Sequence, residues 1–253
     1  YSFRCAPQVH GACRDLFSFV RHTLSIELNA ATDNPLVNPK TGEIVSQGNF
    51  HGQPIAFALD ILAMGLSELG SLSQCRIAKL IDPAYSGLPC FLVEKEGLNS
   101  GFMIAHVTAA ALAGENRLLT HPASTDSIPT NNEKEDHVSM GPTAARKAQG
   151  ILENVERILA IEMLAASQAL EFRKPLKGGQ GPEWLRQQVR QVVPPLKEDR
   201  VLTPDIEAVA AWIHSGALHS RARYSIPNTI AAACSTHSNR SRTKASSVGT
   251  VSM

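Results

Sequence analysis

Aromatic side chains are scarce in this 253-residue chain. Phe, Trp and Tyr make up only 5% of it, so a sizeable core has to be built from Ala, Leu, Ile and Val. Net charge is almost absent as well. Lys plus Arg total 24 against 23 for Asp plus Glu, a formal +1, which provides no electrostatic footprint for nucleic acid or an anionic membrane surface. The cysteines (Cys5, Cys13, Cys75, Cys90, Cys234) are odd in number and include no C-x-x-C pair. That argues against a disulfide framework or zinc ribbon and for a reducing, cytoplasmic setting. No long apolar run is free of charge. The most apolar, 55–72, contains Asp60 and Glu68, and the next ends on Glu115 and Arg117, so both read as buried helices rather than membrane spans. Residues 1–14 lack the apolar stretch of a signal peptide. The chain opens on Tyr1 rather than Met, which marks it as processed, engineered or a fragment.

What is present is helical periodicity. Phe17, Val20, Leu24 and Leu28 form a stripe that predicts a helix from His10 to about Ala31, stopped by Asp33-Asn34-Pro35. Two short apolar pieces around Asn38-Pro39-Lys40-Thr41-Gly42 predict a small hairpin. Residues 54–81 predict one long helix, apolar on every side and therefore central in a bundle. An alanine-rich helix over 101–120 follows, then a polar loop, 122–140, long enough to suggest function. Helices are predicted again at 142–172, 182–193 and 204–214. With no strand series, βαβ rhythm or repeat, the fold class is all-α, a bundle of long, roughly antiparallel helices over residues 1–214. Such all-round apolar helices predict a chain that associates. The remainder, 215–253, is Ser/Thr-rich and basic with no acidic residue, and reads as a disordered tail or as sequence outside the native frame.

Three clusters can carry chemistry. Tyr1-Ser2-Phe3-Arg4 offers a phenol for proton transfer and a guanidinium for a carboxylate, or simply a surface pair. Gly48-Asn49-Phe50-His51-Gly52-Gln53-Pro54 leads into the most apolar helix, as a ligand-approach loop or a cap. Asn131-Asn132-Glu133-Lys134-Glu135-Asp136-His137 is acidic enough to suggest a metal site. Adjacency does not supply converging ligands and Lys134 opposes a cation, so no metal is expected and a solvated charged loop is the plainer alternative. There is no G-x-S-x-G elbow, H-E-x-x-H, phosphate-binding loop or dinucleotide fingerprint.

Taken in order, these clusters form a longer pattern. Y-S-x-R-C-x-P-Q-V-x-G at 1–11, N-A-A-T-D-N-P-L-V at 29–37, G-N-F-H-G-Q-P at 48–54, S-G-L-P at 86–89, N-S-G-F-M-I-A at 99–105, H-P-A-S at 121–124 and K-E-D-H-V-S-M-G at 134–141 stand in register. The sequence resembles the C-terminal half of the histidine ammonia-lyases, over roughly residues 1–210. The resemblance implies part of the subunit of a mostly helical homotetramer with shared active sites, converting L-histidine to trans-urocanate and ammonia. It also implies an electrophilic prosthetic group, 4-methylidene-imidazol-5-one, formed from an internal Ala-Ser-Gly. By motif, Tyr1 corresponds to the proposed base, Arg4 to the clamp on the substrate carboxylate, Phe50 to the pocket lining near the prosthetic group, and Glu135 to the residue facing the substrate imidazole. A carboxylate there suits an imidazole N–H, whereas the related phenylalanine lyases resemble an amide-bearing version. The sequence departs from the family in holding no Ala-Ser-Gly, since its Ser-Gly pairs follow Tyr85, Asn99 and His214. The expectation is thus a fragment that is inactive alone. A non-catalytic helical scaffold and an aromatic amino-acid lyase or aminomutase are the alternatives.

Overall fold

Proline marks the start of most of the long helices. In the computed structural model, which describes residues 1–218, Pro7 stands in the first turn of α1 (Ala6–Glu27) and Pro54 in that of α2 (Gln53–Ile81). A missing N–H is harmless in a first turn and the fixed φ suits the helix. Pro7 explains why α1 begins four residues before the stripe from His10 predicts. The two short strands β1 (Leu36–Val37) and β2 (Ile44–Val45) pair antiparallel, Leu36 opposite Val45, as the predicted hairpin. Asp82 ends α2 and caps the single turn α3 (Pro83–Ser86), accepting from Ala84 N at 2.9 Å. A 3₁₀ turn, Cys90–Leu92, leads to α4 (Met103–Leu119), and α5 (Gly141–Glu171), α6 (Gln180–Val192) and α7 (Thr203–His214) complete the order. Of the tail read from sequence, residues 219–253 lie outside the described residues.

The long helices α2, α4 and α5 alternate in direction. Gln74 of α2 meets His106 of α4 while Gly70 approaches Asn116, so α2 and α4 are antiparallel. Asn154 of α5 bonds Asn116, and Lys147 reaches the carbonyl of His121, so α4 and α5 are antiparallel too. The helices α2 and α5 are therefore parallel neighbours, with both N-termini at one end of the bundle.

The contact between α2 and α5 is built from small residues. The α2 positions buried against the bundle include Ala56, Ala63, Gly65, Gly70 and Ser73. A Cβ at Gly70 would come within 3.1 Å of Val155 Cγ2 and 3.3 Å of Ile158 Cδ1. The close approach lets the Glu162 carboxylate of α5 accept from Ser73 Oγ at 2.6 Å and from the Arg76 guanidinium. In the N-terminal half of α2 two large apolar residues point elsewhere, Phe57 at 49% exposed and Met64 also exposed, while Leu72, Ile77 and Ile81 farther along are buried. The sequence places α2 in the centre on every side. The structure corrects that, because backbone proximity favours small side chains at the α5 contact and leaves Phe57 and Met64 on a face that no described element covers. Helix α4 repeats the pattern, with Ala105, Ala109 and Ala113 buried and Ile104, Val107 and Leu118 exposed.

The main core joins α2, α4, α5, α6 and α7 through Ile77, Leu92, Phe102, Ile158, Ile161, Val189 and Val209. Polar side chains lock its edges. Gln168, fully buried in α5, donates to Leu196 O at 2.8 Å and Leu92 O at 3.2 Å, and accepts from Leu196 N at 3.0 Å. One amide thus serves two irregular segments whose backbone groups have lost water. Asp199 accepts from Ser100 N at 2.7 Å and Gly101 N at 2.9 Å, ahead of α4. Gly101 has φ +54° and a Cβ there would lie 2.5 Å from Phe91 O, so no other residue fits that turn.

Two measurements check these locks. Replacing Gln168 with Ala strands the Leu196 amide and two carbonyls, and chemical denaturation should record a loss of about 2–4 kcal/mol. Glu171 is subject to opposed effects. Burial raises its pKa, but hydrogen bonds from Lys174 and Arg190 and their charges outweigh it and hold the carboxyl below its ordinary value. A depressed folded pKa stabilises fully above the unfolded value, about 4.3, and that stability is lost as pH falls through the folded value. The Glu171→Gln variant should be the less stable of the two at pH 7, and its deficit should shrink in acid denaturation below pH 4.

Candidate active site

The parallel setting of α2 and α5 brings together the loops that precede them. Residues 48–52 lead into α2 and residues 122–140 lead into α5, so two of the three sequence clusters meet at one end of the bundle. The first of these loops is held from behind by the N-A-A-T-D-N-P motif. Asn34 Oδ1 accepts from Gln47 N at 3.0 Å and Ser46 Oγ at 3.3 Å, while Asn49 Nδ2 donates to Ala31 O at 2.7 Å. Gln47 also bonds the Asp33 carbonyl and the Asn49 amide. Phe50 is thus carried on a braced segment and projects outward, 54% exposed.

The 122–140 loop has more order than its polar composition predicts. It opens with a 3₁₀ turn, Ala123–Thr125, fixed to α2 by two bonds. Asp60, only 5% exposed, accepts from Ser124 N at 2.9 Å, and Gln53 Nε2 donates to Ser124 O at 3.3 Å. Farther along, Thr130 and Glu135 exchange backbone bonds, Thr130 N to Glu135 O at 3.0 Å and Glu135 N to Thr130 O at 3.3 Å. The turn between them is left-handed, with Asn131, Asn132 and Glu133 at φ of 53°, 52° and 63°. Asparagine tolerates this region better than other L-residues, which gives the Asn131-Asn132 pair a structural reason. A run of such residues costs of the order of 1 kcal/mol or more each, so the turn persists because its ends are tied. Thr130 Oγ1 donates to Glu135 Oε2 at 2.7 Å. The second carboxylate oxygen of Glu135 accepts no hydrogen bond among the described residues.

His51 and His137 close the gap between the two loops. Their rings stack with centroids 5.5 Å apart and planes 3° from parallel, and His51 Nε2 lies 3.0 Å from His137 O. The sequence reading treats His51 only as a structural histidine and gives His137 no role of its own. The signal that could have paired them is the shared aromatic type next to Phe50 and Glu135. Among the described residues no group of three or more His, Cys, Asp and Glu is placed to hold a metal ion. Of the three carboxylates in the cluster, that of Glu135 is engaged, by the Thr130 hydroxyl.

Tyr1 and Arg4 stand on the turn before α1, where Cys5 N bonds Tyr1 O at 2.8 Å. Tyr1 is 91% exposed and Arg4 is exposed. The Arg4 guanidinium has no hydrogen-bond or ion-pair partner among the described residues, so its charge is available to an anion. No bond or ring contact ties Tyr1 or Arg4 to Phe50 or Glu135. The structure brings the loops that carry Phe50 and Glu135 together at one end of the bundle, and among the described residues no contact joins either loop residue to Tyr1 or Arg4. Two clefts, of about 550 and 700 Å³, surround Asp199 and share no residue with any of the four.

An open, all-α scaffold with these motifs at its loops has known counterparts. The family model described as aromatic amino acid lyase matches residues 1–191, and the chain belongs to that family. A histidine ammonia-lyase of Anaeromyxobacter dehalogenans (strain 2CP-C) is 58% identical over 218 residues, 86% of this chain and 43% of its own length. The crystal structure of histidine ammonia-lyase from Trypanosoma cruzi superposes with TM-score 0.87 at 51% identity, covering 90% of this chain and 46% of that one. Tyrosine aminomutase from Streptomyces globisporus follows with TM-score 0.84 at 44% identity, covering 88% and 43%. The chain therefore spans less than half the length of the relatives it matches.

Asp60 is the fixed point of the 122–140 loop. An Asp60→Ala variant should raise the rate of limited proteolysis within that loop about ten-fold, the equivalent of a lost hydrogen bond to a charged group, ~1.5 kcal/mol. Asp60→Asn, which keeps an acceptor for Ser124 N, should stay close to the parent.

Proposed function

We propose that this chain works as part of a histidine ammonia-lyase, removing ammonia from L-histidine to give trans-urocanate, in a homotetramer whose active sites are shared between subunits. The observation that carries the reading is Glu135. It is a carboxylate with one oxygen engaged by Thr130 and the other uncommitted, presented beside the Phe50 loop on a turn that the backbone holds at a cost. A carboxylate so placed accepts the N–H of an imidazole, and it would be a poor neighbour for a phenyl ring. Identity above half to histidine ammonia-lyases supports the same choice.

In this reading Arg4 pairs with the substrate α-carboxylate as a two-pronged donor. Tyr1 takes the β-proton, Phe50 packs against the substrate side of the pocket, and Glu135 orients the imidazole. The β-proton is barely acidic and the amine leaves an unactivated carbon, so the reaction needs an electrophile as well as a base. The resemblance implies 4-methylidene-imidazol-5-one for that part, and the residues of this chain do not fit it as its source or its cradle. There is no Ala-Ser-Gly in the 253 residues, the backbone N–H groups of Ser100 and Gly101 are both taken by Asp199, and Tyr1 and Phe50 stand open to solvent. The chain alone is inactive in this reading, and its four residues act when joined to polypeptide that carries the electrophile. The similarity to tyrosine aminomutase supports a second reading, an aromatic amino-acid lyase or aminomutase.

The experiment joins this chain to the N-terminal half of the Anaeromyxobacter relative and follows urocanate by its absorbance. Urocanate should form from the joined protein and not from the chain by itself. In the joined protein Glu135→Gln should lower kcat/KM for L-histidine roughly 10–100-fold, the worth of a charge-assisted hydrogen bond of ~1.5–3 kcal/mol. Unchanged turnover of histidine, or a preference for tyrosine, would favour the second reading.

A further inference from the structure

The Phe50 and Glu135 loops are separated by more than eighty residues of sequence, and neither side chain touches the other. Two hydrogen bonds join residues 48–53 to the 122–140 loop among the described residues, Gln53 to Ser124 and His51 to His137. The Gln53 bond lies at the far end of the loop from Glu135. His51 is the bond that adjoins both residues of interest, one position from Phe50 and, through His137, two from Glu135. We propose that His51 is a positioning residue for the histidine-ammonia-lyase site, an imidazole in its neutral Nε2–H form that sets the separation of Phe50 from Glu135. The assignment of a role in turnover rests on the functional reading above; the latch itself does not.

The tautomer follows from its partners. Gln53 N donates to His51 Nδ1 at 3.3 Å, so Nδ1 must carry a lone pair. His51 Nε2 is 3.0 Å from the carbonyl of His137, which can only accept, so Nε2 must carry the proton. One neutral form satisfies both bonds. The doubly protonated ring would turn a proton toward the Gln53 N–H, and the Nδ1–H form would lose both bonds. Stacking on the His137 ring, 3° from parallel, restrains the remaining freedom, the swing of the 134–138 segment about its bond to His51. The space is tight as well, since a Cβ at Gly52 would lie 3.2 Å from Ser139 Oγ. The latch matters because Glu135 sits on a turn of three left-handed residues. Such a turn relaxes when one of its ends is released, and relaxation moves the carboxylate that would meet the substrate.

The test uses His51→Ala, which removes ring and donor, and His51→Gln, whose side-chain amide can still donate to His137 O. In the 253-residue chain, hydrogen exchange at the Thr130 and Glu135 amides should quicken about ten-fold in His51→Ala and stay near the parent in His51→Gln. Amides of α5 should be unmoved in both. ¹⁵N spectra of the parent should show His51 with Nε2 protonated and Nδ1 bare. In the joined protein His51→Ala should raise KM for L-histidine and lower kcat/KM at least ten-fold, and His51→Gln should recover most of it. Unchanged exchange in His51→Ala, or an Nδ1–H ring, overturns the latch. Faster exchange with unchanged KM and kcat overturns its role in positioning. A joined parent that makes no urocanate counts against the functional reading alone, because the exchange and ¹⁵N results still decide the latch.

Discussion

The close approach of α2 to α5 is the constraint on which the rest depends. Helix separation is set by side-chain size at the contact, and Ala63, Gly70 and Ser73 reduce it until Gly70 nearly touches Val155 and Ile158. Once the axes are this close, Glu162 can bridge Ser73 and Arg76 and fix the axial register. With α4 running the other way, register and direction together place the two N-termini side by side. A loop feeding α2 and a loop feeding α5 then cannot avoid each other. The neighbourhood of Phe50 and Glu135 is a consequence of small residues two to six helical turns away.

Packing sets that neighbourhood, and polar contacts give it definition. The 122–140 loop has little apolar surface with which to adhere, so it is held by discrete bonds at intervals: Asp60 and Gln53 to Ser124, Ser127 Oγ accepting from Val138 N at 2.9 Å, His51 to His137. The same device recurs at the opposite edge, where Gln168 and Asp199 hold irregular segments to α5 and α4. In both places a side chain on or beside a regular helix supplies the hydrogen bonds that a loop backbone cannot find in itself. That is what allows long connections to carry exposed functional groups without drifting.

How much of this was legible in the sequence depends on what kind of force was at work. Periodicity located every long helix to within a few residues, because burial of a stripe is a local pattern. The hairpin at 36–45 was legible from its turn residues. The motifs at 1–11, 48–54 and 134–141 marked Tyr1, Arg4, Phe50 and Glu135, and the contact that joins two of these segments runs between His51 and His137. The face that α2 buries was misread. Hydropathy ranks Phe57 and Met64 above Ala63 and Gly70, but close packing selects for size, and size is decided by a neighbour almost ninety residues away. His51 with His137, and Asp60 with Ser124, were illegible for the same reason: each is half of a bond whose other half depends on the fold. Asp60 even counted in the sequence only as a charge that a membrane would reject.

The exposure of the candidate residues is itself informative. Removing a barely acidic proton and orienting an imidazole by a single carboxylate both demand a site poor in water, since charge-assisted bonds weaken steeply in high dielectric. Tyr1, Arg4 and Phe50 all stand exposed, and no described element roofs them. The same surface deficit appears where no chemistry is at stake, on the outward faces of α2 and α4, where Phe57, Met64, Ile104, Val107 and Leu118 are left bare. The proposed assembly would account for both. In the proposed tetramer further polypeptide would cover the apolar faces, and the residues it brought with them would enclose Arg4 and Glu135 from the side this chain leaves open. In that proposed assembly, apolar association and exclusion of water from the site would be the same event, and the interface would be part of the catalytic apparatus rather than an accessory to it.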